Sequence, residues 1–288
     1  MTRPHQTRHT QSPHHLITQS LRDVTIGVIG AGKMGQALIK GLLAQGVSRH
    51  VLHAADPNGA TRQQVRRRFH LDVTDDNVRV VRRADIVVLA VKPQQFPDLV
   101  AQIAPHLSPR QLVISIAAGM TLRWLQRRLP GVPLVRVMPN LAATVGCGFS
   151  AITLGRAATQ RHRTLAAALF GAVGEVVELP ERYFDAVTAV SGSGPAYVFF
   201  LIDTWEKAAR ALGLPRAVAS RAIRKTLEGS ARLLRSAEEP ASVLIGNVAS
   251  RGGTTEAALK VLTRRRVSAH LMEALRAAAR RSKELSWG

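Results

Sequence analysis

The sequence predicts an α/β half followed by an all-α half, and three observations carry that expectation. A short branched strand, 24–29, runs directly into Gly30-Ala31-Gly32-Lys33-Met34-Gly35 and then into an apolar helix. Further β-branched runs recur up to residue 180 with helical stretches between them, the pattern of a parallel sheet with crossover helices. From Glu181 onward the apolar residues keep helical spacing throughout.

Length and composition set the bounds. A chain of 288 residues holds two modest domains. With 46% hydrophobic but only 4% aromatic residues, the core is aliphatic and rich in Ala. The single cysteine, Cys147, excludes an intrachain disulfide and suits a reducing compartment, so a cytoplasmic protein is expected. The formal net charge is +21. Its arginines are spread over many helices, as in Arg216, Arg221, Arg224, Arg232, Arg235, Arg276 and Arg280. No aromatic-interleaved basic strand or zinc-finger spacing accompanies them, so they read as solvated surface whose field favours an anionic ligand; nucleic acid is not the expected partner. No stretch approaches about 20 consecutive apolar residues, so no membrane span is expected. Residues 1–21 read as a disordered tail: polar, with His5, His9, His14 and His15, and lacking the apolar run of a secretion signal.

The elements follow in order. The glycine pattern stands where it has meaning, after a strand and before a helix that ends near Gly46. Gly30 makes the tight turn, Gly32 admits a pyrophosphate and Gly35 lets helix and strand pack, which makes 22–180 a Rossmann-like dinucleotide-binding domain. The next strand, 51–55, ends at Asp56-Pro57-Asn58. An acid there reads a ribose hydroxyl and favours NADH, or caps the turn with Asn58. Arg62, Arg66, Arg67 and Arg68 just behind it suit a 2′-phosphate, so both cofactors stay open with a lean to NADPH. The run 85–91 is a buried parallel strand whose end, Ala90-Val91-Lys92-Pro93, lies where such sheets place ligands. The strand 111–116 leads into Ala117-Ala118-Gly119, and 134–137 leads into Met138-Pro139-Asn140, with Asn140 a cofactor-side candidate. A strand pair, 149–154 and 175–179, flanks a helix at 161–170 and closes the sheet.

The remaining 181–288 read as a helical dimerisation and substrate domain. Val198, Leu201, Ile202, Trp205, Ala209 and Leu212 form one stripe, and Ala219, Ala222, Ile223, Leu227 and Leu233 another. Such thin helices bury little alone, so a symmetric dimer that intertwines them is expected. Two stretches stand out: Ser191-Gly192-Ser193-Gly194-Pro195-Ala196-Tyr197 and Ser250-Arg251-Gly252-Gly253-Thr254-Thr255. Each reads as a helix start rich in glycine and hydroxyls, with Ser193 as a cap and Pro195 in the first turn. Unpaired N–H groups at such starts suit a carboxylate, and the two are expected to form one pocket beside the nucleotide. These segments hold no His–Asp pair, metal spacing or nucleophile elbow. Hydride transfer to an already electrophilic C=N carbon, governed by positioning, fits better than carbonyl reduction.

At these residues the chain resembles the pyrroline-5-carboxylate reductase family, from about Val24 to the C-terminus. The likeness rests on the glycine loop, Ala90-Val91-Lys92-Pro93-Gln94, Ser115-Ile116-Ala117-Ala118-Gly119, Arg136-Val137-Met138-Pro139-Asn140, the Ser191–Tyr197 stretch and Gly252-Gly253-Thr254-Thr255. The resemblance implies NAD(P)H-dependent reduction of 1-pyrroline-5-carboxylate to L-proline by a homodimer, often a pentamer of dimers. It implies that Gly30, Ala31, Gly32, Lys33, Met34 and Gly35 hold the pyrophosphate, and that Asn77 approaches the adenosine part. Ala90, Val91, Lys92, Pro93, Ile116, Ala117 and Ala118 line the nicotinamide side. Asn247, Ser250, Gly252, Gly253, Thr254 and Thr255 hold the substrate carboxylate with Ser191 and Ser193, and Thr255 is the proton donor or partner of the ring nitrogen. Arg251 departs from the family's usual proline and adds a charge to that loop. Related imine or β-hydroxyacid reductases, and a non-enzymatic basic nucleotide or nucleic-acid binder, are the alternatives. The first helix of the second half shows no early lysine, with Lys207 far along it, which argues against a hydroxyacid enzyme.

Overall fold

The computed structural model describes residues 20–287; the tail histidines His5, His9, His14 and His15 lie outside them. The described residues through Gly192, with the segment from Ala279, form one compact unit, and Ser193–Ala278 form a second.

The first unit is built on an eight-stranded sheet of order β3-β2-β1-β4-β5-β6-β7-β8. Its strands are β1 (Ile26–Ile29), β2 (Leu52–Ala55), β3 (Val73–Thr74), β4 (Ile86–Leu89), β5 (Leu112–Ser115), β6 (Leu134–Met138), β7 (Gly148–Leu154) and β8 (Gly174–Glu178). Pairing is parallel from β3 to β6, antiparallel between β6 and β7, and parallel again between β7 and β8. The chain order thus reverses between β1 and β4, where open sheets of this kind place their ligands. Strands β1, β4 and β5 are buried along their whole length, which is why they read as unbroken branched runs rather than as alternation.

Helices cover both faces: α1 (Lys33–Ala44), α2 (Gly59–Phe69), α3 (Asn77–Val81), α4 (Phe96–Ile103), α5 (Leu122–Arg128) and α6 (Gln160–Gly171). Two apolar clusters result, one holding Leu38, Leu42, Val65, Leu169 and Phe170, the other Val80, Phe96, Ile103, Trp124 and Leu125. Strand β3 is two residues long, too short for a periodicity to reveal.

Beyond the sheet come α7 (Phe184–Val187), α8 (Gly194–Ala211), α9 (Arg216–Ser236), α10 (Ala241–Val248), α11 (Thr254–Arg264) and α12 (Val267–Glu284). Two expectations need correction here. The chain runs from α7 into α8 through a π-helical turn, Thr188–Gly192, so this is no fresh helix start. Ser193 accordingly sits in right-handed helical backbone and its hydroxyl makes no capping bond. The boundaries also differ from 21 and 180: Leu21 is 1% exposed, and the first compact unit extends to Gly192 and regains the chain at Ala279. Joined across the π turn, residues Glu181–Ala211 form a 31-residue helix with a stretch of mean hydropathy 1.2, enough to cross a membrane by length and composition alone. Counting uninterrupted apolar residues overlooked it, because Ser191, Ser193 and other polar groups punctuate the run.

Among residues 193–278 only Ala219 and Ile223 are buried. The predicted stripe is largely exposed in the single chain, as expected of helices that bury little alone: Val198 at 43%, Trp205 at 44% and Leu212 at 84%. An apolar surface of this extent marks an interaction face.

One partly buried ion pair ties β6 to the segment that follows the sheet. Arg136 on β6, 3% exposed, donates to Glu181 Oε1 at 2.8 Å, and the Leu122 N–H at the start of α5 donates to the same oxygen at 2.7 Å. The Arg136 guanidinium also lies 4.8 Å from the centre of the Phe184 ring. Glu181→Ala leaves a guanidinium buried without its partner, and we expect a loss of about 3–5 kcal/mol in urea unfolding. Phe69→Leu, far from this pair, should cost less than half of that.

Candidate functional site

The ends of β1, β2 and β4 converge on the glycine loop. Gly30 has φ +96°, and a Cβ there would stand 2.7 Å from the Ala90 carbonyl oxygen. A Cβ at Gly35 would overlap the Gly30 carbonyl oxygen, whereas one at Gly32 would meet nothing within 4 Å. Gly32 caps α1 without a side-chain bond. Among the described residues the amides of Gly32, Lys33 and Met34 have no acceptor, so a helix dipole and free donors face an open cradle suited to a pyrophosphate.

Asp56 holds this loop. Its Oδ2 accepts the Ala31 N–H at 2.9 Å and its Oδ1 accepts the Asn58 N–H at 2.9 Å, so the acid fastens loop and turn together. Of the four arginines behind it, Arg62 alone is fixed at the end of β2. It donates to the carbonyls of Asp56 and Pro57, each at 2.9 Å, and pairs with Asp75 at 3.3 Å. The Arg66 guanidinium is turned to the Val73 carbonyl, and that of Arg68 lies over Phe69.

Beside the loop lies a cleft of about 400 Å³ bordered by Ile29, Gly30, Pro57, Asn77, Val91 and Gln102. Asn77 donates to Gln102 Oε1 at 2.9 Å on its wall. Ala90 and Val91 pack against the core clusters. Lys92 is exposed, with its N–H on Gln95 Oε1 at 3.2 Å, and Pro93 opens the turn that follows. Ala117 is buried, Ile116 partly so, and Ala118 is exposed. Asn140 donates to Ser191 Oγ at 3.0 Å and accepts the Phe149 N–H at 3.2 Å, which joins a cofactor-side candidate to a substrate-side one. Sequence reasoning gave no sign of this pair or of the role of Arg62 as a tether, because both depend on contacts distant in the chain or on backbone acceptors.

In the second unit, Ser250, Arg251, Gly252 and Gly253 form a turn. Gly252 has φ +74°, and the Gly253 N–H donates to the Ser250 carbonyl at 3.0 Å. The turn forms without the family's proline, and Arg251 is exposed in it. Gly253 caps α11 with no side-chain bond. The amides of Thr254, Thr255 and Glu256 have no acceptor among the described residues. Glu256 clamps the turn by accepting the Gly252 N–H. Its carboxyl is held below the usual range by Lys260 and then by that N–H, so the clamp is charged at neutral pH and is lost only as pH falls through the lowered value. Asn247 and Ser250 are exposed nearby. At the start of α8, the Tyr197 hydroxyl is buried without a partner.

The described residues contain no group of His, Cys, Asp and Glu able to hold a metal. The arrangement can bind a dinucleotide in one unit and a small anion in the other, with hydroxyls and amides as its only reagents.

The glycine geometry separates binding from folding. Gly32→Ala should leave the melting temperature unchanged while weakening dinucleotide binding about tenfold or more, read by calorimetry. Gly35→Ala should cost about 1–3 kcal/mol of stability through overpacking, read by thermal unfolding.

Comparison with known proteins agrees with this layout. Residues 181–285 match the family model described as pyrroline-5-carboxylate reductase dimerisation, and residues 25–119 match one described as NADP oxidoreductase coenzyme F420-dependent. The pyrroline-5-carboxylate reductase of Synechocystis is 38% identical over 263 residues, 91% of this chain and 98% of that protein. The solved structure of the Coxiella burnetii pyrroline-5-carboxylate reductase superposes with a TM-score of 0.85 at 32% identity, covering 92% and 99% of the two chains. That of the Plasmodium falciparum pyrroline carboxylate reductase, solved with NADP bound, gives 0.84 at 29% identity over the same shares. A relative this similar over nearly its whole length places the chain in the pyrroline-5-carboxylate reductase family.

Proposed function

We propose that this chain reduces 1-pyrroline-5-carboxylate to L-proline with NADPH, the last step of proline biosynthesis, with NADH a usable second cofactor. The observation that carries the reading is the 38% identity to a reductase of that name over 91% of the chain. The site's chemistry agrees with it. When bound, the reduced dinucleotide would supply a hydride to the C=N carbon of the protonated imine, leaving the neutral ring amine. The chain's own part is to bind and orient. The open amides at Gly32, Lys33 and Met34 take the pyrophosphate. The tethered Arg62 guanidinium lies at the end of β2, where a ribose 2′-phosphate belongs, and supports the lean to NADPH. Ala90, Val91 and Pro93, with Ile116, Ala117 and Ala118, present small and apolar surface to the nicotinamide, and Lys92 lies beside them. Thr254 and Thr255, with Ser250, Gly253 and Asn247, grip the substrate carboxylate through amides and hydroxyls. The Thr255 hydroxyl serves the ring nitrogen. Since a protonated imine is already electrophilic, positioning rather than a strong acid sets the rate.

The exposed apolar faces of α8 to α11 are covered by a second copy of the chain, and a pentamer of such dimers is the larger assembly we assign. An unpaired Cys147 suits the cytoplasm.

NADPH oxidation with 1-pyrroline-5-carboxylate, run beside NADH, tests substrate and cofactor together; the expected result is turnover with both and a higher kcat/KM for NADPH. Absence of turnover with either cofactor sinks the reading. Thr255→Val should lower kcat about a hundredfold with NADPH affinity unchanged; wild-type kcat in this variant removes Thr255 from the chemistry. Light scattering at micromolar concentration should return a dimer or a multiple of it, and a monomer mass contradicts the assembly.

A further inference from the structure

We propose that the end of the chain, beyond α12, is a strap that positions the β5–α5 loop, residues 116–121, with Trp287 and Thr121 as positioning residues for the nicotinamide end of the cofactor. The proposal rests on the assignment of Ile116, Ala117 and Ala118 to that end.

The strap is added to the loop by backbone and side chain together. The Trp287 N–H donates to the Gly119 carbonyl at 2.9 Å, in a parallel bridge that pairs Met120 with Trp287. The Thr121 hydroxyl donates to the Trp287 carbonyl at 2.6 Å and accepts the Trp124 N–H at 3.1 Å. One hydroxyl therefore caps α5 and holds the strap. The Trp287 ring meets Trp124 edge to face, with centroids 5.9 Å apart, and Trp124 in turn packs on Phe96. Gly119 shows how close the approach is: at φ +77°, a Cβ would stand 2.6 Å from the Leu285 carbonyl oxygen.

Besides the strap, the loop is held at its two ends and by the burial of Ala117 and Met120 in the second apolar cluster. Its first amide bonds to the Leu89 carbonyl at 3.2 Å, and the Leu122 N–H bonds to Glu181 at 2.7 Å. Between these points the strap supplies the hydrogen bonds that reach Gly119 and Thr121. Trp287 remains 38% exposed, so its burial contributes little to the core compared with Trp124 at 3%. What it supplies is order in a loop that would otherwise lose that freedom on binding. Leu285–Trp287 and the loop they hold both belong to the first compact unit.

The test uses the full chain with Trp287→Ala, Trp287→Phe and a chain ending at Leu285. Hydrogen exchange without ligand should show the amides of 116–121 exchanging about tenfold faster in the shortened chain, about threefold faster in Trp287→Ala, which keeps the backbone bonds and loses only the ring contact with Trp124, and near wild type in Trp287→Phe. The NADPH dissociation constant, read from quenching of the remaining tryptophans, should rise about fivefold in the first two. The KM for 1-pyrroline-5-carboxylate should stay within about twofold and the molecular mass should not change. Unchanged loop exchange in both variants overturns the strap. Faster exchange with unchanged NADPH affinity overturns its link to the nicotinamide. Wild-type protein that binds no NADPH overturns the underlying cofactor assignment, and the ligand-free exchange still judges the strap by itself.

Discussion

Everything in the first unit depends on how closely peptide groups approach at the ends of β1 and β4. The Gly30 backbone touches the Ala90 carbonyl, and Gly35 touches the Gly30 carbonyl. No side chain fits between them. This contact brings α1 down onto the sheet, aims its first turn at the cleft, and leaves three amides without acceptors. The Asp56 carboxylate then fixes the loop from the side, through Ala31. A cradle of free amides is thus the direct result of a packing constraint, with the Asp56 carboxylate as its side support.

The second unit follows a different logic. Its helices bury almost nothing within one chain, and its largest apolar side chains face outward. Hydrophobic burial is the main favourable term in folding, so helices this exposed require a partner surface. The likeness of residues 181–285 to a dimerisation segment accounts for that deficit. The same segment carries the turn that leads into Thr254 and Thr255 at the start of α11.

Much of this was legible in the sequence. Strands β1, β4 and β5 are buried on both faces, so their branched runs stand out, and the strand–glycine–helix order identified the cradle. The start of α11 was legible because two glycines precede two threonines. The start of α8 was misread for a physical reason. Gly192, Ser193 and Pro195 are the residues of a helix start, yet the chain arrives already coiled through Thr188–Gly192, and such π turns leave little mark on composition. Strand β3, the Asn140–Ser191 bond and the Arg62 tether were hidden because two residues show no period and long-range contacts leave no local pattern. The split of functions between Asp56 and Arg62 was out of reach for the same reason: Asp56 is what an NADH site calls for, and only its two backbone partners show that it is already in use.

That double use constrains how this fold can change its cofactor. Exchanging the acid at the end of β2 is the simplest route by which related proteins would trade one dinucleotide for the other. Here such an exchange also releases the Ala31 and Asn58 amides and slackens the cradle that both dinucleotides share. A neutral replacement must therefore restore two acceptors at once, which asparagine, with a single carbonyl oxygen, cannot do in the same geometry. Cofactor preference in this chain is coupled to loop integrity, and its evolution would begin at Arg62, whose tethers are backbone carbonyls that survive any change of side chain.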